Sequence, residues 1–406
     1  MDKKVVLTAA IVVAFLLSSS ILVLFYNQDS EDREITLVAR VNTEGSGIYI
    51  DAKYTASDFI VVGSDGNPQL DADGNIQYIV ENWRGKVFGT PGTTAIQHIQ
   101  LMNIVLGMDL NFVPYSDGVD TSSNSNNVYY VSSITNAAAF ENSSNSYIDG
   151  GIIWQPQYQA LLESTTRPCN SLMSSDQFDP GHTCCVIGAS HSYINANEDA
   201  TVRFLAAYVE SVNWVNDAIS NPGSENYNHL VQLAMDRTGI TDREVIVESL
   251  TSVTYTYGNT SDVDSEDAPL VSLETSIESL VTSLYETNQL GRTMAQLGFS
   301  SIHEFAQRYV NDGYLAQALD FEYSEDASYT ATSVTVAIIS GDIHQIAIHL
   351  GIDQGIFEKY GISVNLLAAA NGAGVATSLQ NGSAQFGFVG APPMTITTIN
   401  GMLSTS

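Results

Sequence analysis

The sequence predicts an α/β fold with mostly parallel sheets. Two observations indicate this class: short apolar runs alternate with segments of helical periodicity, and turn-forming residues separate them. A third observation excludes a disordered chain, since 44% of the 406 residues are hydrophobic and 20 Tyr and 14 Phe are present. The length suits one large two-lobed domain or two ordinary domains.

The predicted elements follow the chain in order. Strands are expected where short apolar runs lie between turn residues: 35–41, 47–50, 86–90, 111–115, 150–154, 183–189, 334–339, 363–367 and 385–389. Helices are expected where apolar residues recur at helical spacing: 93–106, from 155 onward, 196–220, 273–285, 301–309, 343–355, 374–380 and 392–400. Four polar stretches are predicted to be loops or linkers, the first of them a hairpin tip: 63–75, 116–127, 258–269 and 322–333.

The charge balance limits the partners of the protein. Acidic residues number 45 and basic residues 14, which gives a formal net charge of −31. Nucleic-acid binding requires clustered cations to neutralise phosphates, so a general nucleic-acid binder is excluded. The same shortage of Lys and Arg argues against docking on an anionic membrane surface.

The three cysteines are too few for a disulfide scaffold. Cys184 and Cys185 open an apolar run, which favours small buried core residues over a metal site or a thiol nucleophile. No second paired ligand set with zinc spacing accompanies them, so neither a metal nor another cofactor is predicted.

An apolar run over residues 5–26 follows Lys3 and Lys4 near the start of the chain. Its 22 residues would extend about 33 Å as a helix, which is enough to cross a bilayer. We therefore expect residues 1–33 to hold an uncleaved membrane anchor, with a cleaved signal peptide as the alternative. In either case residues 34–406 are expected outside the cytoplasm.

Candidate ligand-binding residues lie where strands lead into helices, because free backbone N–H groups and the helix dipole favour polar or anionic ligands there. At His344, ligand binding and simple helix capping remain equal alternatives. Trp154 could stack on a ligand or fill the core. The junction residues are Glu44, Ser46, Thr90, Thr93, Thr94, Gly341, Asp342, His344, Asn371, Gly390, Pro392 and Pro393. No catalytic constellation is present.

Two segments near the end of the chain resemble a known family. The stretch 341–367 (GDIHQIAIHLGIDQGIFEKYGISVNLL) resembles the opening of ABC-transporter solute-binding proteins of the nitrate/sulfonate/taurine and thiamine-pyrimidine class. The stretch 371–393 (NGAGVATSLQNGSAQFGFVGAPP) is similar to the next part of the same proteins. The resemblance implies a two-lobed periplasmic-binding-protein type II fold with a ligand between the lobes.

Earlier parts of the chain resemble later parts of that family. These are 42–48 (NTEGSGI), 83–98 (WRGKVFGTPGTTAIQH), 150–157 (GGIIWQPQ) and 181–187 (GHTCCVI). Gln155 stands where the family commonly has an acid. By this resemblance Trp154, Gln155 and His182 join the candidate ligand-binding residues.

The family's segments occur here in permuted order, since its opening lies at 334–406 and its continuation at 35–320. A circular permutation is the preferred interpretation, and a tandem or incomplete copy is the alternative. Lobe 1 is expected to consist of three segments, 34–82, 186–321 and 334–406. Lobe 2 is expected at 83–185, and 322–333 is expected to be a linker. Hinges are expected near 82–86 and 182–190.

The resemblance implies an extracytoplasmic receptor that delivers a small polar or anionic ligand to the permease of an ABC importer. The expected ligands are a sulfonate, nitrate, bicarbonate or a thiamine-pyrimidine-like molecule. An enzyme similar to thiamine-pyrimidine synthases, using His and Cys, is the first alternative, and a sensory ectodomain is the second.

Overall fold

Two six-stranded sheets organise the computed structural model, which describes residues 34–122, 125–258 and 271–401. The strands of the described chain are β1 (Ile35–Glu44), β2 (Ser46–Asp51), β3 (Val87–Gly89), β4 (Asn111–Pro114), β5 (Asn127–Val131), β6 (Gly150–Trp154), β7 (Cys169–Ser174), β8 (Thr183–Ser190), β9 (Val253–Tyr255), β10 (Thr332–Ile339), β11 (Ile362–Ala369) and β12 (Phe386–Gly390). The first sheet has the order β11-β10-β12-β8-β1-β9, and the second has the order β4-β5-β3-β6-β2-β7.

Helices connect and cover these strands. Those of the described chain are α1 (Val80–Trp83), α2 (Ile96–Gly107), α3 (Ala137–Glu141), α4 (Gln157–Leu162), α5 (Ser175–Phe178), α6 (His191–Ala196), α7 (Glu198–Ser220), α8 (Glu225–Thr238), α9 (Arg243–Thr251), α10 (Leu273–Glu286), α11 (Ile302–Tyr309), α12 (Gly313–Leu319), α13 (Ile346–Asp353), α14 (Ile356–Lys359), α15 (Gly372–Gln380) and α16 (Ala391–Gly401). Short 3₁₀ helices lie at Ala56–Asp58, Ser143–Asn145, Ala295–Leu297 and Ile343–Gln345.

The first sheet combines a parallel block with two strands of opposite direction, β8 and β9, and the second combines one with a single reversed strand, β2. In the first sheet β10, β11, β12 and β1 run the same way, and β8 runs against both β12 and β1. In the second sheet β3, β4, β5 and β6 are parallel, and β2 runs against both β6 and β7. The prediction of a two-lobed α/β fold is therefore confirmed.

The chain passes between the two lobes through short connections that lead into the reversed strands β2 and β8. At Gly45, β1 of the first sheet leads directly into β2 of the second. The chain returns through residues 175–182, which link β7 to β8. Each sheet thus contains a strand that arrives directly from the other lobe.

The crossover at Gly45 corrects the expected lobe boundary. Residues 46–51 lie in the second lobe, not in the first as predicted, because β2 pairs with β6 and β7. The following residues up to 82 also belong there, since Phe59 and Trp83 pack in the apolar core of that lobe. The hinge expected near 82–86 is therefore wrong, whereas the return crossover lies close to the segment expected at 182–190.

The remaining long-range expectations have mixed outcomes. The single hairpin tip predicted over 63–75 is instead two successive hairpin turns, closed by pairing of Val62 with Pro68 and of Leu70 with Ile76. The predicted linker 322–333 ends earlier, because β10 begins at Thr332.

No helix within the described residues is long and apolar enough to span a membrane. The anchor predicted at 5–26, and most of the loop predicted at 258–269, lie outside the described residues.

Candidate functional site

A cavity of about 390 Å³ lies between the lobes, where the carboxyl ends of parallel strands from both sheets face each other. This position is the one at which open α/β sheets bind ligands. The first lobe lines the cavity with Cys184, Cys185, Ile339, Ser340, Asp342, His344, Ala370, Asn371, Gly372, Ala373, Val389, Gly390 and Pro393. The second lobe contributes Pro91, Gly92, Thr94, Ala95, Ile96, Gln97, Thr135 and Trp154.

The structure brings about half of the candidate binding residues to the cavity wall. These are Thr94, Trp154, Asp342, His344, Asn371, Gly390 and Pro393. Three more are sequence neighbours of lining residues, namely Thr93, Gly341 and Pro392. The other five are buried or nearly buried behind the wall: Glu44, Ser46, Thr90, Gln155 and His182. Direct contact of any of these residues with a ligand stays a prediction.

His344 is the most constrained polar side chain of the wall. It is 1% exposed, its Nδ1 lies 2.6 Å from Asp342 Oδ1, and its Nε2 lies 3.1 Å from the carbonyl oxygen of Gly45. Burial lowers the pKa of His344, but the charges of Asp342 and Cys184 and these hydrogen bonds outweigh it and raise the pKa to about 9. His344 is therefore a positive charge, neutralised by Asp342, at the junction of both lobes.

Helix capping at the wall uses the side chains expected there. Asn371 accepts a hydrogen bond of 3.0 Å from the Gly374 N–H at the start of α15. Asp342 accepts one of 3.0 Å from the His344 N–H in the same way. The start of α16 is also part of the wall, because Gly390 and Pro393 border the cavity. Three helical segments of the first lobe thus begin at the cavity.

Behind the wall, the two crossovers are joined by one carboxylate. Glu44 Oε1 accepts a hydrogen bond of 2.5 Å from the Gly181 N–H, and Glu44 Oε2 lies 3.5 Å from His182 Nδ1. Burial lowers the pKa of His182, but its hydrogen bond with Cys184 and the charges of Asp179, Cys184 and Glu44 raise it to about 9. Glu44 and His182 consequently hold the two connections between the lobes against each other.

Neutral polar contacts extend this network into the second lobe. Gln97, on the cavity wall, donates a hydrogen bond of 2.8 Å to Ser46 Oγ. Gln155 donates from its backbone to the Gly45 carbonyl at 2.8 Å and accepts from Ser249 Oγ at 3.0 Å. Thr90 is paired with His98 at 3.0 Å, away from the cavity. Through these contacts, Ser46, Thr90 and Gln155 support the cavity wall from behind.

Several lining residues were not among the sequence candidates. Cys184 and Cys185 were expected to be core residues; they are buried, and they also border the cavity. Thr135 follows β5, a strand that the sequence analysis did not predict, so no strand end pointed to it. Gln97 lies in α2, after the predicted junction at residues 90–94. Its position next to Ile96, which also lines the cavity, is the only sequence signal that could have identified it as a wall residue.

Two solved structures are similar to this chain. One is the ligand-binding component of an ABC-type import system from Staphylococcus aureus with zinc bound, at 14% identity and a TM-score of 0.42, covering 72% of this chain and 77% of that chain. The other is the periplasmic nitrate-binding protein NrtA from Synechocystis PCC 6803, at 13% identity and a TM-score of 0.47, covering 72% of this chain and 69% of that chain. No family model and no curated protein matches the chain.

The cavity wall combines apolar side chains with polar groups. Among the described residues that line it, none is Lys or Arg, and its polar side chains carry hydroxyl, amide, carboxylate, imidazole and thiol groups. The Trp154 indole, at the end of β6, offers an apolar face opposite the first lobe. Within the described chain, no group of three or more His, Cys, Asp or Glu could hold a metal ion.

Proposed function

We propose that the protein is an extracytoplasmic solute-binding receptor that delivers a small polar or anionic ligand to the permease of an ABC importer. The observation that carries the proposal is the cavity between two lobes joined by two short crossovers at Gly45 and at 175–182. Such a connection permits the lobes to close on a ligand by a hinge motion. A cleft of this kind supports binding rather than turnover as the task of the protein.

The ligand classes follow from the charges at the wall. The positive charge of His344 is balanced by Asp342, and both ring nitrogens already have partners. A multiply charged anion would therefore lack a cationic partner, whereas a ligand with at most one delocalised negative charge can be held by N–H and hydroxyl donors. Nitrate, bicarbonate, a sulfonate and a neutral thiamine-pyrimidine-like molecule all meet this condition.

Attachment to the membrane through residues 5–26 belongs to the same proposal. A receptor held near its permease supplies ligand at a high local concentration. The hydropathy of that segment and the lysines before it support this arrangement.

A thermal-shift screen of the full chain in detergent tests the proposal. The panel contains nitrate, bicarbonate, sulfonates and thiamine precursors. A ligand at about 100 times its dissociation constant adds about 2.7 kcal/mol to the stability of the folded form, so one ligand class should raise the melting temperature. A melting temperature that none of these compounds raises would count against the receptor function.

Tryptophan fluorescence locates the binding site of a ligand found in this way. The chain has three Trp residues, and Trp154 borders the cavity whereas Trp214 lies in α7. Ligand should change the emission of the unsubstituted protein and of Trp214→Phe, and the change should disappear in Trp154→Phe. If Trp154→Phe kept the full change, the ligand would bind outside the cavity.

A further inference from the structure

Two adjacent thiols lie in the floor of the cavity. Cys184 is 1% exposed and Cys185 is 4% exposed, both border the cavity, and their Sγ atoms are 3.8 Å apart. Successive side chains of a regular strand point to opposite faces, so two consecutive residues of β8 would not ordinarily bring their sulfurs together. The placement of this pair therefore requires a local irregularity.

The register between β1 and β8 shows that irregularity. Asn42 lies opposite Cys185 and Thr43 lies opposite Thr183, so Cys184 has no partner in β1. An extra residue of this kind bends a strand and turns a side chain in a new direction. The unpaired position of Cys184 accounts for two neighbouring thiols on the cavity side.

The surroundings give the two thiols different roles. The hydrogen bond with Cys185 and the nearby charges of His344 and His182 lower the pKa of Cys184 well below its usual range, against the effect of burial. The same contact and burial raise the pKa of Cys185. Cys184 is thus the more acidic thiol of the pair, and we expect it to react first.

We propose that Cys184 and Cys185 form a reversible dithiol–disulfide pair in the floor of the cavity, oxidised by a small-molecule disulfide that enters the cleft. The Cys184 thiolate attacks one sulfur of the oxidant and expels one thiolate, which leaves a mixed disulfide. Cys185 then loses its proton and attacks the Cys184 sulfur, which expels the second thiolate. The protein loses two protons and two electrons, and the oxidant is reduced to two thiols.

Backbone geometry makes this disulfide easy to reverse. The Cα atoms of adjacent residues are about 3.8 Å apart, which is shorter than the ordinary separation of about 4.4–6.8 Å between bridged cysteines. A strained disulfide is more readily reduced than a structural one. The pair fits a modification site that switches with redox conditions, and it does so whether or not the chain is a transport receptor.

Cys169 makes a clean experiment possible. It is the third cysteine of the chain and lies in β7 of the other lobe, where its thiol contacts the Arg167 carbonyl. In full-length Cys169→Ser, an intramolecular disulfide can join only Cys184 and Cys185. This variant is incubated with bis(2-hydroxyethyl) disulfide, a small uncharged oxidant, and its intact mass is measured. Cys169→Ala replaces it if that variant folds better by circular dichroism.

We expect the mass to fall by that of two hydrogen atoms and to recover after treatment with dithiothreitol. Adding Cys184→Ser or Cys185→Ser should abolish this loss. A mass that stays unchanged, or a mixed disulfide with 2-mercaptoethanol that persists, would overturn the proposal. The unsubstituted full chain provides an independent reading, because cleavage before Asp176 and Asp179 separates Cys169 from the pair. Its peptide containing Cys184 and Cys185 should show the same loss, and a fully reduced peptide would contradict the proposal.

Discussion

At the scale of single residues, His344 connects the chemistry of the cavity to the stability of the protein. Both of its hydrogen-bond partners, the Asp342 carboxylate and the Gly45 carbonyl, are acceptors. Two acceptors are satisfied only by a ring with a proton on each nitrogen, so the folded protein favours the charged imidazolium. This geometry gives a physical reason for the raised pKa of about 9.

The stability of the protein should therefore fall as the pH rises through the range between about 6.5 and 9. The folded state holds protons on His344 and His182 that the unfolded state has already released, so their stabilisation is complete below pH 6.5 and is lost above pH 9. Each histidine contributes at most roughly 3 kcal/mol to this change. Urea unfolding at several pH values measures it.

Substitution separates the contribution of His344 from the rest. His344→Gln should reduce the pH dependence, because one of the two histidines that take up a proton on folding is removed while His182 continues to titrate. His303→Gln serves as the control, since that side chain is 55% exposed and contacts only surface carboxylates in the described chain. A pH dependence that survives unchanged in His344→Gln would contradict the assignment of a buried imidazolium.

At the scale of elements, the tight crossover from β1 to β2 depends on a glycine. Gly45 has φ +89, and a Cβ atom added there would lie 2.3 Å from His344 Nε2. Gly74, in the hairpin, has nearly the same φ of +86 but no atom within 4 Å of such a Cβ. An added Cβ atom would strain the backbone at both positions, but it would collide with another residue only at Gly45.

Gly74→Ala should cost about 1 kcal/mol of unfolding free energy, the typical cost of a left-handed conformation for a residue with a Cβ. Gly45→Ala should cost at least about 2 kcal/mol more, because His344 or the crossover must also move. Urea unfolding of both variants compares them. Equal losses would mean that the contact between Gly45 and His344 is not maintained in solution.

Local elements could be predicted from the sequence because their signals are local. Residues 150–154 form the expected strand without a shift, since a short apolar run lies between turn residues. The helix expected over 196–220 is present as α7 but begins two residues later, at Glu198. Asn197, whose side chain donates to the Tyr193 carbonyl, separates it from α6. Side-chain capping of this kind is visible in the sequence only as a single Asn.

The lobe assignment of β2 could not be predicted because pairing partners are distant in sequence. The run at Ile48–Ile50 reads equally well as a strand of either sheet, and only contacts with β6 and β7 place it in the second lobe. The residues of the cavity wall could likewise be predicted only in part. The strand-end loops carry recognisable residues such as Asp342 and Asn371, whereas Cys184 reaches the wall through an irregular register that no local pattern reveals.

At the scale of the whole molecule, two groups of contacts join the lobes. Ile99 and Met102 of α2 pack against Leu284 of α10 and Ile396 of α16. Ser249 of α9 bonds the Gln155 side chain next to α4. With the Glu44 contacts at the crossovers, these interactions couple the lobes in this conformation, and we expect the lobes to unfold in a single transition.

The final strands, β10 to β12, are integral to the first lobe. Their pairing leads to a prediction about segment order. β12 pairs with β8 over Phe386–Gly390, and β10 pairs with β11 and β12, so the segment from Thr332 onward completes the first sheet. The connection before it, at residues 322–331, contains no strand or helix among the described residues. Cutting the chain within residues 322–331 should therefore leave the folded protein intact, as the interpretation of the chain as a circular permutation requires.

A protease site inserted between Glu325 and Tyr329 tests this expectation. After cleavage, the two pieces should elute together in size-exclusion chromatography and melt in a single transition, because the sheet pairing of β12 with β8 and the core around Phe386 and Phe388 remain buried. Denaturant should separate them, which verifies that cleavage is complete. Release of the final piece under native conditions would show that the first sheet needs this connection, and the interpretation of the chain as a permuted single domain would then fail.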